Sequence, residues 1–252
     1  MRDMTAPAIG STQFALANEP FDQGRSASRM FFDFGIMLSC FRPIERRTHS
    51  RVLDFAAGTG WLTEWLNRLG YDTYSLDIDI GSQVAMQLRV NCDARIDTAR
   101  LHSKAGDAHH LPFEDGVFSH VCCFDSLHHM HDYPRAFAEI FRVLDVDGRA
   151  IFVEPGAKHS TSKETIEFIE KHKKHDPTWI ERDVVLDEID VIATRAGFKR
   201  LVVRPSLWPQ LREYDLSSWK RFRQGDQALG KDYLDLLTDF NFNSRVAFYI
   251  DK

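Results

Sequence analysis

Short apolar runs alternate with amphipathic stretches along most of the chain, and the period of the pattern switches between the two. "RVLDF" (51–55), "DTYSLDI" (72–78), "RLHSKAGD" (100–107), "VFSHVCCF" (117–124), "RAIFVEP" (149–155), "KRLVVRP" (199–205) and "SRVAFYID" (244–251) predict seven strands. Between them, Trp61, Leu62, Trp65, Leu66 and Leu69 recur at helical spacing up to a stop at Gly70. "VAMQLRVN" (84–91) predicts a second helix. Asp132 and Pro134 introduce a third, with Ala136, Phe137, Ile140, Phe141 and Leu144 on one face. Two more are expected at 163–174 and 187–196, the latter closed by Gly197.

Strands that alternate with helices in this way predict an α/β fold: a doubly wound, seven-stranded, mostly parallel sheet with right-handed crossovers and helices on both faces. Ligands of such sheets bind beyond the carboxyl ends of the strands. The loops at 54–60, 77–80, 107–110 and 124–131 are therefore expected to converge on one pocket. Residues 1–50 read as an N-terminal helical cover segment and 51–252 as the main domain. Within it, 156–180 is a polar cover, and 206–243 is a long aromatic insertion expected to pack as a helical lid over the pocket mouth.

Composition narrows the function. The chain has 252 residues, 43% hydrophobic and 27% charged, enough for one domain with a sizeable core. A formal net charge of -5 argues against a nucleic-acid partner or an anionic lipid surface and in favour of a small molecule. No apolar run reaches the roughly 20 residues of a membrane span, and Met1 to Phe21 lacks the charged and apolar blocks of a signal peptide. A cytoplasmic location is the expectation. Cys40, Cys92, Cys122 and Cys123 show no C-x-x-C spacing and read as reduced thiols, the last two inside a buried strand.

The loop "DFAAGTGW" counts against two cofactor classes. A dinucleotide loop needs a third small residue at the end of G-x-G-x-x-G, where either alignment places Thr63 or Trp61. A phosphate loop needs a lysine that does not follow Gly60. What stays is Asp54 before a small-residue turn and Asp77 at the end of the next strand. Asp77 can accept from two ribose hydroxyls, and Asp54 can pair with an ammonium group or organise the turn. Ala56 to Gly60 allow close backbone approach, and Asp107 can accept from an exocyclic amine. Three aspartates at successive strand ends suit a ligand with a ribose and a charged amino-acid tail.

From Arg51 to Pro155 the chain resembles the class I S-adenosylmethionine-dependent methyltransferases, and within them the type 11 domain family. The likeness rests on "VLDFAAGTG", "YSLDID", "GDAHHLPFEDGVFSHV" and "SLHHMHDYPRAFAEIFRVLDVDGRAIFVEP". It implies a Rossmann-like fold, S-adenosyl-L-methionine as cofactor and S-adenosyl-L-homocysteine as product. It also implies that Asp54, Ala56, Ala57 and Gly58 contact the methionine end, Asp77 the ribose and Ile78 the adenine face. Asp107 and Ala108 would meet the adenine edge, with Phe124 near the sulfonium. Three departures bear on it. Ala56 stands where a glycine is usual, a change that is tolerable if its φ is negative and its methyl clears the ligand, while Ser119 and the Val146-Asp147 pair replace residues of more distant turns.

The sulfonium is already an activated donor, so the protein must mainly align a nucleophile and exclude water. For a hydroxyl acceptor a proton acceptor helps, and His128 and His129, after the fourth strand, are the candidates. Glu154 and His159 are further residues expected to face substrate. His109, His110 and His131 add to the histidine count without a helical H-x-x-x-H pair or a compact Cys/His set, so no metal is expected. Trp208, Tyr214, Trp219, Phe222 and Tyr233, with Arg212, Arg221 and Arg223, suit a lid over a medium-sized polar acceptor. The reading is transfer of a methyl group to a hydroxylated, sugar-like metabolite. Its rivals are a non-catalytic cofactor-binding protein and an NAD(P)-dependent oxidoreductase.

Overall fold

A computed structural model describes residues 27–42, 50–91, 93–174, 176–206 and 214–252. Most of the expected N-terminal cover, together with Cys92, His175, Trp208 and Arg212, lies outside the described residues. Chain order runs α1 (Ala27–Cys40), β1 (Arg51–Phe55), α2 (Trp61–Arg68), β2 (Asp72–Asp77), α3 (Ile80–Val90), β3 (Leu101–Ala105) and β4 (Phe118–Phe124). It continues with α4 (Tyr133–Val143), β5 (Leu144–Pro155), α5 (Lys163–His172), α6 (Leu186–Ala196), β6 (Leu201–Val203), α7 (Leu216–Arg223), α8 (Gln227–Asp239) and β7 (Arg245–Asp251).

The seven strands form one sheet in the order β3-β2-β1-β4-β5-β7-β6. Strands β1 to β5 are parallel, and β7 runs antiparallel to both β5 and β6. The order reverses at β1, flanked by β2 and β4, so the crevice expected of such sheets opens beyond Phe55 and Phe124. Val52, Leu53 and Phe55 are wholly buried because helices cover both faces of β1, which is why the strand reads as a continuous apolar run.

Each face has its own core. On one, Phe152 stacks between Phe137 of α4 and Phe248 of β7, at ring distances of 5.5 and 4.7 Å. On the other, Met30, Phe34 and Met37 of α1 pack on Trp61, Leu62 and Leu66 of α2. Phe34 also meets the edge of Trp65 at 5.3 Å. Local chemistry sets the helix ends. The Asp79 side chain accepts from the backbone N–H of Gly81 and Ser82 to start α3 four residues earlier than its apolar spacing suggests. Gly197, at φ 106°, closes α6 against the Phe141 ring, where a side chain would not fit.

Three expectations shift in extent. The fifth strand begins at Leu144, drawn out by pairing with Phe118 before a register shift, and the sixth shortens to three residues. The insertion is helical, as α7 and α8, but neither helix buries a residue. Its aromatic rings pack on one another instead, Trp219 stacked on Phe222 at 5.5 Å and Phe222 edge to face with Tyr233 at 5.6 Å. No helix among the described residues is long and apolar enough to cross a membrane.

Candidate active site

The carboxyl ends of β1 and β2 carry the first group of expected residues. Asp54 is buried and accepts from Thr63 twice, from its hydroxyl at 2.6 Å and its N–H at 2.9 Å, which binds the end of β1 to the first turn of α2. Of its two expected uses, organising the turn is the one the geometry displays. Burial lifts the Asp54 pKa from 3.8 to about 7, against the pull of the Thr63 hydrogen bonds. A carboxyl raised in this way holds its proton more tightly folded than unfolded, so its stabilisation is complete below about pH 4 and is lost as pH rises to about 7. Asp54→Asn keeps an oxygen for Thr63 and abolishes that titration. Its melting temperature should stay flat between about pH 5 and about pH 7 where the wild type loses several degrees, as read by scanning calorimetry.

Beyond Asp54 the loop turns through left-handed residues: Ala56 at φ 56°, Gly58 at 51° and Gly60 at 73°. Ala56 therefore does not take the negative φ under which alanine would be tolerated there without strain. The turn imposes its geometry on alanine as it would on glycine, at a cost of roughly 1–2 kcal/mol. Contacts on both sides hold it there. Ala57 N–H donates to the Leu76 carbonyl at 2.9 Å, and Ser126 Oγ donates to the Ala56 carbonyl at 2.8 Å.

Asp77 fastens this loop to β2. Its Oδ2 accepts from Gly58 N–H at 2.6 Å and its Oδ1 from Asp79 N–H at 2.8 Å, leaving a lone pair on each oxygen for a ligand's hydroxyls. Ile78, beside it, is 77% exposed, an apolar side chain with its face open. Gly106 N–H donates to the Asp77 carbonyl at 2.9 Å and brings Asp107 and the buried Ala108 alongside. Hydrogen bonds from His109, foremost from its backbone N–H, hold Asp107 below the usual carboxylate range. Phe124 closes the row with its ring 5.0 Å from Trp61, edge to face.

A cavity of about 890 Å³ lies over the ends of β4, β5 and β7. Arg29, Met30 and Asp33 of α1 line it, as do Asp125, His128 and His129 after β4, the cover residues Lys158, His159, Thr165 and Phe168, and Glu181 and Arg245. From the aromatic insertion only Asn243 contributes among the described residues. The roof is thus the 156–168 cover and α1, because the insertion's rings pack on themselves. Arg245 is buried between Asp125 and Asp33, its Nη2 2.9 Å from Asp33 Oδ2. Burial works against the charge of Asp125, and the adjacent Arg245 outweighs it and holds the carboxyl low.

The histidine wall is the chemical part of the cavity. His128 Nδ1 meets Glu154 Oε2 at 2.8 Å, and its Nε2 faces Glu181 Oε2 at 3.3 Å. Burial alone would push His128 down, but the two glutamates lift it to about 9. With Nδ1 on Glu154 and Nε2 facing Glu181, His128 is turned toward carboxylates rather than toward an acceptor's proton. His129 differs. Its Nδ1 faces the Ile180 carbonyl at 3.0 Å and so carries the proton, which leaves Nε2 with its lone pair. Burial and the neighbouring His128 charge push His129 below its ordinary pKa.

Two expectations made for this wall divide. His159 lines the cavity, while Glu154 is fully buried behind His128 and accepts from the N–H of Ser126 and Leu127, each at 3.0 Å. Glu181, Asp125, Asp33 and Arg245 escaped the sequence reading. Glu181 sits one residue past the expected cover boundary in "TWIERDVV", a stretch without period or motif. His159 Nε2 and Trp179 Nε1 donate to it at 2.8 Å each, and burial is outweighed by these and the other histidines, which hold it below the usual carboxylate range.

Comparison with known proteins places this geometry. Residues 53–152 match a family described as a methyltransferase domain. Demethylmenaquinone methyltransferase of Thermobifida fusca is 40% identical over 105 residues, 41% of this chain and 42% of that protein. Malonyl-[acyl-carrier protein] O-methyltransferase of Geobacter sulfurreducens is 30% identical over 162 residues, 61% of this chain and 57% of that one. The chain thus spans about half the length of such curated relatives. Among solved structures, phosphoethanolamine N-methyltransferase 2 of Haemonchus contortus, in complex with S-adenosyl-L-methionine, shares the fold. Its TM-score is 0.63 at 20% identity, covering 95% of this chain and 57% of that one.

Proposed function

We propose that this chain, whose residues 53–152 form a methyltransferase domain of the S-adenosylmethionine-dependent class I type, moves a methyl group to a hydroxyl of a small, polar acceptor. The observation that carries the reading is the joint between the two halves of the site. Ser126 ties the Ala56 turn to the end of β4, and the next residues in each direction, Asp125 and then His128 and His129, already line the 890 Å³ cavity. A cofactor seated along Asp54 to Gly58, Asp77, Ile78, Asp107 and Ala108 would hold its sulfonium near Phe124, at the mouth of that cavity. His129 Nε2 is the group that meets the acceptor's hydroxyl and can take its proton.

Charge favours a polar acceptor over a lipid quinone. Arg29, Lys158, Arg245 and His128 stand on the cavity wall with Asp33, Asp125, Glu164 and Glu181. An isoprenoid tail would desolvate these groups without returning a hydrogen bond, whereas a polyol satisfies them. The buried free thiols Cys40, Cys122 and Cys123 suit the cytoplasm. Methyl-labelled S-adenosylmethionine offered with a panel of hydroxylated metabolites should yield labelled product and S-adenosylhomocysteine. Tight cofactor binding with no label transferred to any acceptor would favour the non-catalytic alternative.

Asp77→Ala should weaken S-adenosylmethionine binding by about 1.5–3 kcal/mol, the worth of hydrogen bonds to a charged group. Asp77→Asn, which keeps one acceptor for Gly58, should lose less. Calorimetric titration measures both, and equal affinity in all three chains would remove Asp77 from the cofactor site.

A further inference from the structure

We propose that His128, His129 and Glu181 form a binding site for a first-row divalent metal ion, of the zinc class, on the wall of the acceptor cavity. One ring nitrogen of each histidine and one carboxylate oxygen of Glu181 lie within 4.8 Å of one another, and all three side chains line the cavity.

The spacing is the first argument. His128 Nε2 stands 3.3 Å from Glu181 Oε2. Charge-assisted N–H···O contacts close to about 2.7–2.9 Å, as His128 does with Glu154 at 2.8 Å and His159 with Glu181 at 2.8 Å. Two ligands bonded at about 2.1 Å to one ion, at angles between square and tetrahedral, lie about 3.0–3.4 Å apart. The separation of His128 Nε2 and Glu181 Oε2 falls in that range, as it would for two ligands that share an ion beside them.

Orientation of each ligand from behind is the second. Histidines that bind metal commonly donate their other ring N–H to a carboxylate or a backbone carbonyl, which fixes the tautomer. His128 Nδ1 meets Glu154, and His129 Nδ1 meets the Ile180 carbonyl at 3.0 Å, so both present Nε2. Glu181 is held by His159 and Trp179, and His159 is itself placed by Thr165 Oγ1 at 3.2 Å from its Nδ1. Every proposed ligand has an outer partner. Imidazole and carboxylate together suit zinc and its neighbours better than magnesium or calcium.

Three protein ligands leave a coordination position open toward the cavity, the arrangement of catalytic rather than structural sites. An acceptor hydroxyl bound there loses its proton to water more readily, because the ion stabilises the alkoxide. The alkoxide oxygen forms its bond to the methyl carbon as the carbon–sulfur bond breaks, and the electron pair stays on sulfur to give S-adenosylhomocysteine. The methyl-transfer reading stands with or without the ion; what changes is that His129 activates the hydroxyl as a ligand instead of as the base.

The test is calorimetric titration of the full chain, stripped with a chelator, with zinc chloride. One ion per chain is expected, with affinity falling at least tenfold in His129→Gln and in Glu181→Gln. His129→Gln leaves the His128–Glu154 contact in place, so it reports on the site even if Glu181→Gln folds poorly. His102→Gln, which removes an imidazole on β3, should bind as the wild type does. Absence of stoichiometric binding, or equal affinity in the wall variants, overturns the site. Full methyl transfer by the stripped chain overturns its role while leaving the transfer reading intact; failure to bind S-adenosylmethionine overturns that reading while the zinc titration still reports.

Discussion

Replacing His129 by glutamine should lower turnover by about two to four orders of magnitude, the range for removing a positioned proton-transfer group. Affinity for S-adenosylmethionine should stay within about twofold. The asymmetry follows from the layout. His129 touches the acceptor cavity and the Ile180 carbonyl but none of the loops from Asp54 to Asp107. Glutamine can still donate to Ile180 and fill much of the imidazole's volume, so the turn after β4 keeps its shape; it cannot offer a basic lone pair. The loss is expected whether Nε2 acts on the hydroxyl directly or through an ion. Initial rates under saturating cofactor, set beside a calorimetric titration, measure the two effects separately. An unchanged rate would move activation of the acceptor to another residue; a matching loss of cofactor affinity would make His129 part of the cofactor's seat.

Glu154→Ala should cost about 3–5 kcal/mol of stability, as breaking a buried charged pair does, and lower the melting temperature by on the order of 10 °C. Glu154 is wholly buried and answers four donors: the N–H of Ser126 and Leu127, the Cys123 thiol at 3.4 Å and His128. Truncation strands two backbone N–H groups and leaves the buried His128 with Glu181 alone. Glu154→Gln keeps the volume and one acceptor and should cost distinctly less. A double-mutant cycle with His128→Gln isolates the pair, and a coupling near zero would mean that Glu154 serves only the backbone.

The fold was legible because its signals are local. The run "VLDF", the switch to helical spacing at Trp61 and the glycine at Gly70 each report on neighbours a few residues away, and the strand-end aspartates fall where topology puts ligands. The sign of φ at Ala56 is not legible for a related reason: a loop's φ is dictated by what grips it, here Leu76 and Ser126, and neither is adjacent in sequence. The proposed cofactor side is legible since its residues end consecutive strands. The proposed acceptor side is not, because Asp33, Asp125, Glu181 and Arg245 come from four distant places and none has a pattern around it. His128 and His129 look alike as letters; one carbonyl at Ile180 and one carboxylate at Glu154 make them chemically different.

The place of β7 has a consequence for how the molecule is made. This strand follows in sequence everything it pairs with, yet it lies inside the sheet, and Arg149 meets Asp251 across 102 residues of chain. On a ribosome, β1 to β4 and their helices emerge with all their partners nearby, so the cofactor loops can assemble early. Asp33 and Asp125 must wait for Arg245, and β5 keeps a bare edge until then. Long-range pairing of this kind is slow and leaves sheet edges open to other chains meanwhile. The wall of the proposed acceptor cavity is therefore complete only once the last strand arrives, and a nascent chain halted before Arg245 would lack the counter-charge of Asp33 and Asp125.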